Sequence, residues 1–127
     1  MSTSPTCRFT DSHEWFRVEG GEVVIGITQY AANELTDVTF VEVKPVGTAV
    51  GAGESVGEVE SVKTTSDVYS AIGGTVVAVN DKVIADPSLV NSDPLGSGWL
   101  VRIRAADLAP LDGLMDQATY DGRHPVD

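Results

Sequence analysis

Basic side chains are scarce in this chain. Eight Lys and Arg stand against 19 Asp and Glu, a formal net charge of −11. Such a chain is a poor ligand for nucleic acid or an anionic membrane, both of which need basic surface. It suits steered encounters with basic proteins, and it keeps the molecule soluble without any partner. Cysteine is nearly absent. Cys7 alone excludes an internal disulfide framework, and its place near the start reads as an exposed, incidental thiol in a frayed segment. The only histidines are His13 and His124, and neither has a second ligand at metal spacing, so no metal site is expected. No apolar run approaches the ~18 residues of a membrane span. The first ten residues lack the apolar core of a signal peptide and are too short and Arg-poor for a transit peptide. A cytoplasmic protein is the expectation. Its 127 residues fit one domain with a modest core.

Catalytic signatures are also missing. No serine sits in a G-x-S-x-G elbow. Gly51-Ala52-Gly53-Glu54-Ser55-Val56-Gly57 is one residue too long for a dinucleotide fingerprint. It also runs into a strand-like stretch, which leaves no helix N-terminus for a pyrophosphate; tight turns are the plainer reading of these glycines.

What is present is β-forming sequence. Residues 16–104 read mainly as short strands: Val23-Val24-Ile25-Gly26-Ile27, Val38-Thr39-Phe40-Val41-Glu42-Val43, Glu58-Val59-Glu60-Ser61-Val62, Val68-Tyr69-Ser70, Thr75-Val76-Val77-Ala78-Val79 and Trp99-Leu100-Val101-Arg102-Ile103. Glycine and proline between them point to a sandwich or barrel. Three segments read as helical. Thr28 caps a short helix ending at Leu35. Asp86-Pro87 starts one turn running to Val90. Leu111, Leu114, Met115 and Ala118 share one face of an amphipathic C-terminal helix, which Gly113 weakens. After Tyr120 the chain reads as a tail. A weak repeat relates Gly47-Thr48-Ala49-Val50-Gly51-Ala52-Gly53-Glu54 to Gly74-Thr75-Val76-Val77-Ala78-Val79-Asn80-Asp81, consistent with two pseudo-symmetric β units on either side of Lys63.

Lys63 is the only basic residue between Lys44 and Lys82, and it lies in Glu60-Ser61-Val62-Lys63-Thr64-Thr65-Ser66-Asp67. No Gly, Pro or Asn occurs between Glu58 and Asp67, so propensity draws one strand through residues 56–69. Local physics favours a solvated strand lysine paired with nearby acids. Those acids favour the charged ammonium, which argues against a Schiff-base role.

Glu60-Ser61-Val62-Lys63 with Ser66-Asp67 resembles the lipoyl-attachment motif of the glycine cleavage system H proteins. Further blocks resemble that family in its order: His13-Glu14-Trp15, Gly26-Ile27-Thr28-Gln29-Tyr30-Ala31, Asp37-Val38-Thr39-Phe40-Val41-Glu42, Val90-Asn91-Ser92-Asp93-Pro94 and Gly98-Trp99-Leu100. The resemblance covers residues 9–120. It implies a mainly β fold, the barrel-sandwich hybrid of lipoyl and biotinyl carriers, with short helices and a C-terminal helix. It places the lysine at a tight hairpin.

The resemblance also implies a carrier without catalysis of its own. Lipoate would be amide-linked to Lys63. The arm would take the methylamine group of glycine from the glycine decarboxylase (P protein) to the aminomethyltransferase (T protein). Dihydrolipoamide dehydrogenase (L protein) would reoxidise it, and lipoylating enzymes would install it. A pocket for the cationic, labile cargo would involve Ser12, Glu14 and Asp67. Asp67 and Glu60 are alternatively what the lipoylating enzyme recognises at the hairpin. Trp15 and Trp99 read as core. The expected setting is a monomer in a bacterial cytoplasm, one domain over residues 1–127 with a tail at about 121–127. Thr36 departs from the family, which commonly has glycine there, and so does Lys44-Pro45-Val46, which replaces an acidic linker.

Three rivals stand beside this reading. Biotinyl carriers normally flank the lysine with methionines, whereas Val62 and Thr64 flank Lys63. An H-like lipoyl relay, serving lipoylation of other dehydrogenase complexes, is weighed against by the pocket residues. An unmodified scaffold would keep Lys63 as a free amine.

Overall fold

The computed structural model describes residues 7–105 and 107–123. Its strands are β1 (Cys7–Phe9), β2 (Glu14–Glu19), β3 (Glu22–Ile27), β4 (Val38–Val43), β5 (Ala49–Val50), β6 (Ser55–Ser61), β7 (Thr65–Tyr69), β8 (Gly74–Val79) and β9 (Val101–Ala105). The helices are α1 (Gln29–Leu35), α2 (Asp81–Ala85), α3 (Ser88–Ser92) and α4 (Gln117–Arg123). All strand pairings are antiparallel. They form two sheets that do not close, in the orders β1-β2-β3-β9-β8-β5 and β4-β6-β7. This is the expected mainly β architecture.

Side-chain alternation explains where the core lies. Along β3, Val23, Ile25 and Ile27 point into the core between the sheets, where they meet Phe16, Val41, Val59 and Ile103. Val24 and the neighbouring Trp15 point the other way, into a second cluster with Phe9 and Tyr120. The six-stranded sheet is thus covered on both faces here. That is why β3 reads as a continuous apolar run and not an alternating one. Gly26 lies opposite Trp15, and a Cβ there would come within 2.7 Å of the indole. The indole needs that space, and its N–H donates to the Pro94 carbonyl at 3.0 Å.

The cap of α1 follows the sequence. The Thr28 hydroxyl accepts the Ala31 N–H at 3.2 Å and starts α1. At α3 the outcome differs: the helix begins at Ser88 with Pro87 at its N-cap and no side-chain cap bond, the Asp86 carboxylate accepts from the Ser88 N–H and hydroxyl just before it, and the helix continues past Val90 to Ser92. The two copies of the weak repeat pair with each other. Ala49 lies opposite Thr75, and Val76 exchanges hydrogen bonds with Gly47 and Thr48. Exchanging the copies maps one pair onto the other, a local two-fold at this sheet edge.

Several expectations need correction. Cys7 is not in a frayed exposed segment but 8% exposed in β1, packed in the second cluster. The C-terminal helix is not continuous over residues 111–118. A 3-10 turn, Ala109–Gly113, ends at Leu114 in extended conformation. Met115 then forms a bridge with Phe9, and α4 begins at Gln117. The i, i+3, i+4 pattern matched because Leu111 is buried in the main core and Met115 packs on the second cluster, two different neighbours. Helix α4 extends to Arg123, into the segment read as tail; His124 lies outside the described residues. Helix α2, capped by the Asn80 side chain on Lys82 N–H, had no reading from sequence.

Candidate functional site

Residues 56–69 are two strands, not one. β6 and β7 pair with Glu60 opposite Thr65, Val59 opposite Ser66 and Glu58 opposite Asp67, and Val62, Lys63 and Thr64 make the turn. Ser61 holds that turn closed. Its N–H donates to the Thr64 carbonyl at 2.8 Å. Its hydroxyl accepts the N–H groups of Lys63 and Thr64, each at 3.1 Å, and donates to the Thr64 carbonyl at 3.1 Å. Among the described non-glycine residues, only His13 and Thr36 adopt positive φ, so this turn needs no left-handed residue and no glycine. A serine hydroxyl does locally what a turn dipeptide does elsewhere. Propensity missed the turn for that reason, while the family resemblance supplied it.

Lys63 therefore stands exposed at a hairpin tip. No ion pair joins it to a described acid. Beside it lies an open cleft of about 390 Å³. Ile27, Ala31 and Leu35 give the cleft an apolar wall, while Ser12, Asp67 and Glu34 add polar groups. A larger depression of about 490 Å³, lined by Glu42, Lys44, Glu58 and Asp67, does not include Lys63. The smaller cleft is the one a chain extending from Lys63 would enter first.

The sequence-nominated residues gather here to different degrees. Ser12 and Asp67 line the cleft with Lys63. Glu14 is 1% exposed and lies behind Ser12. Its Oε1 accepts from the hydroxyls of Thr10 at 2.5 Å and Ser12 at 2.6 Å. Its Oε2 accepts the Tyr69 N–H of the other sheet at 3.1 Å. Glu14 thus ties the loop after β1 to β7. A carboxylate offers roughly four acceptor sites, so one remains for a further donor. Asp67 is exposed and accepts the Tyr69 hydroxyl at 3.2 Å; its charge pushes the Tyr69 phenol above its ordinary pKa. Glu60 does not join the cleft. It points outward on the three-stranded sheet, with the Thr65 hydroxyl at 3.5 Å.

The family model for the glycine cleavage H-protein matches residues 7–124. The chain belongs to this family. It is 50% identical over 114 residues to the glycine cleavage system H protein of Phenylobacterium zucineum, covering 90% of this chain and 94% of that one. Identity to the Nitratidesulfovibrio vulgaris H protein is 46% over 121 residues, 95% and 94% of the two chains. A crystal structure of the Mycobacterium marinum H protein superposes with a TM-score of 0.86 at 35% identity, covering 98% of this chain and all of that one.

Within this H protein, sequence reading missed several contributors to the site. Thr10 has no motif of its own, yet it holds Glu14. His13 stands in a family-like block, yet nothing in the sequence marks it as a cleft residue. It lines the cleft with φ of 72°, and its Nδ1 lies 2.7 Å from the Tyr120 hydroxyl. Glu34 follows from helix periodicity only once the cleft wall is known to be α1. No three His, Cys, Asp or Glu converge at metal-binding distance among the described residues.

Charge is also segregated. Arg8, Arg17, Arg102 and Arg104 all lie on strands of the six-stranded sheet, where Glu19 and Glu22 pair with three of them. The Arg17 and Arg102 guanidiniums hold the Glu19 carboxyl below its ordinary pKa. The outer face of the other sheet presents Glu42, Glu58 and Asp67 directly opposite one another across three strands, beside exposed Phe40 and Tyr69.

Proposed function

We propose that this H protein is a lipoyl carrier. Lipoate is joined by an amide to Lys63, and the arm carries the methylamine group of glycine from the glycine decarboxylase to the aminomethyltransferase. Dihydrolipoamide dehydrogenase restores its oxidised state. The single observation that carries this reading is an exposed lysine, free of ion pairs to described acids, on a hydroxyl-stapled hairpin at the rim of a half-apolar cleft.

The residues present fit the group. Ile27, Ala31 and Leu35 suit an aliphatic chain, and Ser12 and Asp67 lie where a polar end would reach. Bound lipoate supplies a dithiolane that is reduced as it accepts the aminomethyl group. This chain's own residues bind and shield. Asp67 gives a cationic amine a nearby anion, and Glu14 has an acceptor site left beside its three donors. The cleft wall limits water at the labile cargo. The rigid sheets hold the hairpin so that Glu60 and Asp67 present one shape to the lipoylating enzyme. The protein acts as a monomeric carrier in the bacterial cytoplasm, and the chemistry belongs to its partners.

Intact mass with fragmentation, on protein from lipoate-supplied cells, tests this. The expected result is a lipoyl adduct on Lys63 that is absent from Lys63→Arg. Free Lys63, with a control domain lipoylated in the same cells, would overturn it.

A further inference from the structure

We propose that Tyr120 is a positioning residue for the arm cleft, locking together the two walls that receive the arm; this rests on the carrier reading above. One wall is the turn carrying Ser12, His13 and Glu14. The other is α1, entered through Ile27 and Thr28. The backbone already joins them once, through the Thr28 N–H to the His13 carbonyl at 3.0 Å. Tyr120 comes from α4, 92 residues from Thr28 and 107 from His13 in sequence, and it is 2% exposed. Its hydroxyl lies 2.7 Å from the Thr28 hydroxyl and 2.7 Å from His13 Nδ1.

The Thr28 hydroxyl accepts the Ala31 N–H and can donate its own proton to the Tyr120 oxygen. With the phenol donating to His13 Nδ1, the ring proton sits on Nε2. Ring contacts hold each member in place. Phe9 stacks on Tyr120 at 4.9 Å, and Tyr30 lies 4.5 Å from the His13 ring. His13 also carries the left-handed backbone of the Ser12–Glu14 turn, a conformation that a non-glycine residue holds only when its surroundings enforce it. Removing the hydroxyl takes away this hold on His13 and loosens the turn that carries Ser12 and, behind it, Glu14.

Tyr120→Phe keeps the stacking and removes the hydroxyl that meets Thr28 and His13. In the unmodified full chain, nitrogen-15 spectra of the imidazole are expected to show the Nε2–H tautomer in the parent and a mixture in Tyr120→Phe. In the lipoylated, methylamine-loaded chain, spontaneous loss of the cargo to water is expected to quicken about fivefold, at a temperature where both proteins are folded. An unchanged tautomer, or an unchanged loss rate beside a lowered melting temperature, would show a merely structural tyrosine and overturn the proposal. Should Tyr120→Phe not fold, His13→Asn severs the link from the other side and tolerates the left-handed backbone; the same loss rate decides. A chain never lipoylated would sink the carrier reading alone, because the tautomer measurement needs no arm.

Discussion

Glu14 shows how far a single residue's environment departs from its sequence context. In an acidic chain a carboxylate is ordinarily solvated, yet this one is buried against three donors, two from the loop after β1 and one from β7. Glu14→Gln replaces a full acceptor by an amide that must turn its NH2 toward a donor. It should cost about 1–3 kcal/mol in chemical denaturation. Cys7 departs in the same sense. Burial pushes its thiol up to about 11, only partly offset by the Arg17 charge. In the unfolded chain the thiol ionises near 9, so the unfolded state binds fewer protons in between. The stabilisation is complete below pH 9 and is lost as pH rises toward 11. Thermal melts at pH 8, 10 and 11 should fall more steeply in the parent than in Cys7→Ala.

At the scale of the element, the Lys63 hairpin depends on one hydroxyl. Ser61→Ala leaves two turn N–H groups without their acceptor. It should cost about 1 kcal/mol and slow lipoylation of Lys63, measured as adduct formed per minute, before the fold is lost. Helix α1 ends on the opposite kind of feature. Thr36 has φ of 62° and ψ of −132°, a conformation suited to glycine, and is held by the Asn91 amide on its carbonyl. Thr36→Gly relieves that strain and should raise stability by about 1 kcal/mol, read as a shift in the denaturation midpoint with unchanged slope. The substitution relative to the family was visible in the sequence. Its strain was not, because φ is set by where α1 must turn into β4.

The whole molecule distributes its charges unevenly. Arg8, Arg17, Arg102 and Arg104 lie on the larger sheet beside Glu19 and Glu22, while the strands of the smaller sheet carry carboxylates in register, continuous with the Lys63 hairpin. Like charges directly opposite one another destabilise a sheet. Glu58, at the centre of the row, is therefore a place where stability and encounter oppose each other. Glu58→Gln should raise stability by about 0.5 kcal/mol at low salt. It should also slow association with a basic partner enzyme, followed by stopped-flow; the slowing should fade as salt is added.

The sequence by itself determined most of the strands, two helix starts and the lysine that the family motif singles out. These rest on local causes: β-branched runs, a threonine or aspartate before a helix, and a motif contiguous around Lys63. Its six family-like blocks pointed to the fold through their resemblance to the H proteins, and the chain shares that family's architecture. Tertiary structure decided the rest. It buried Cys7 and Glu14, broke the C-terminal helix at Leu114, and sent Glu60 away from the cleft while bringing Ser12 and Asp67 into it. It also carried Tyr120 to the back of both cleft walls. None of these has a local signal. Each depends on which strand lies next to which and on the face a side chain turns to, and those are fixed only when distant segments compete for the same interior.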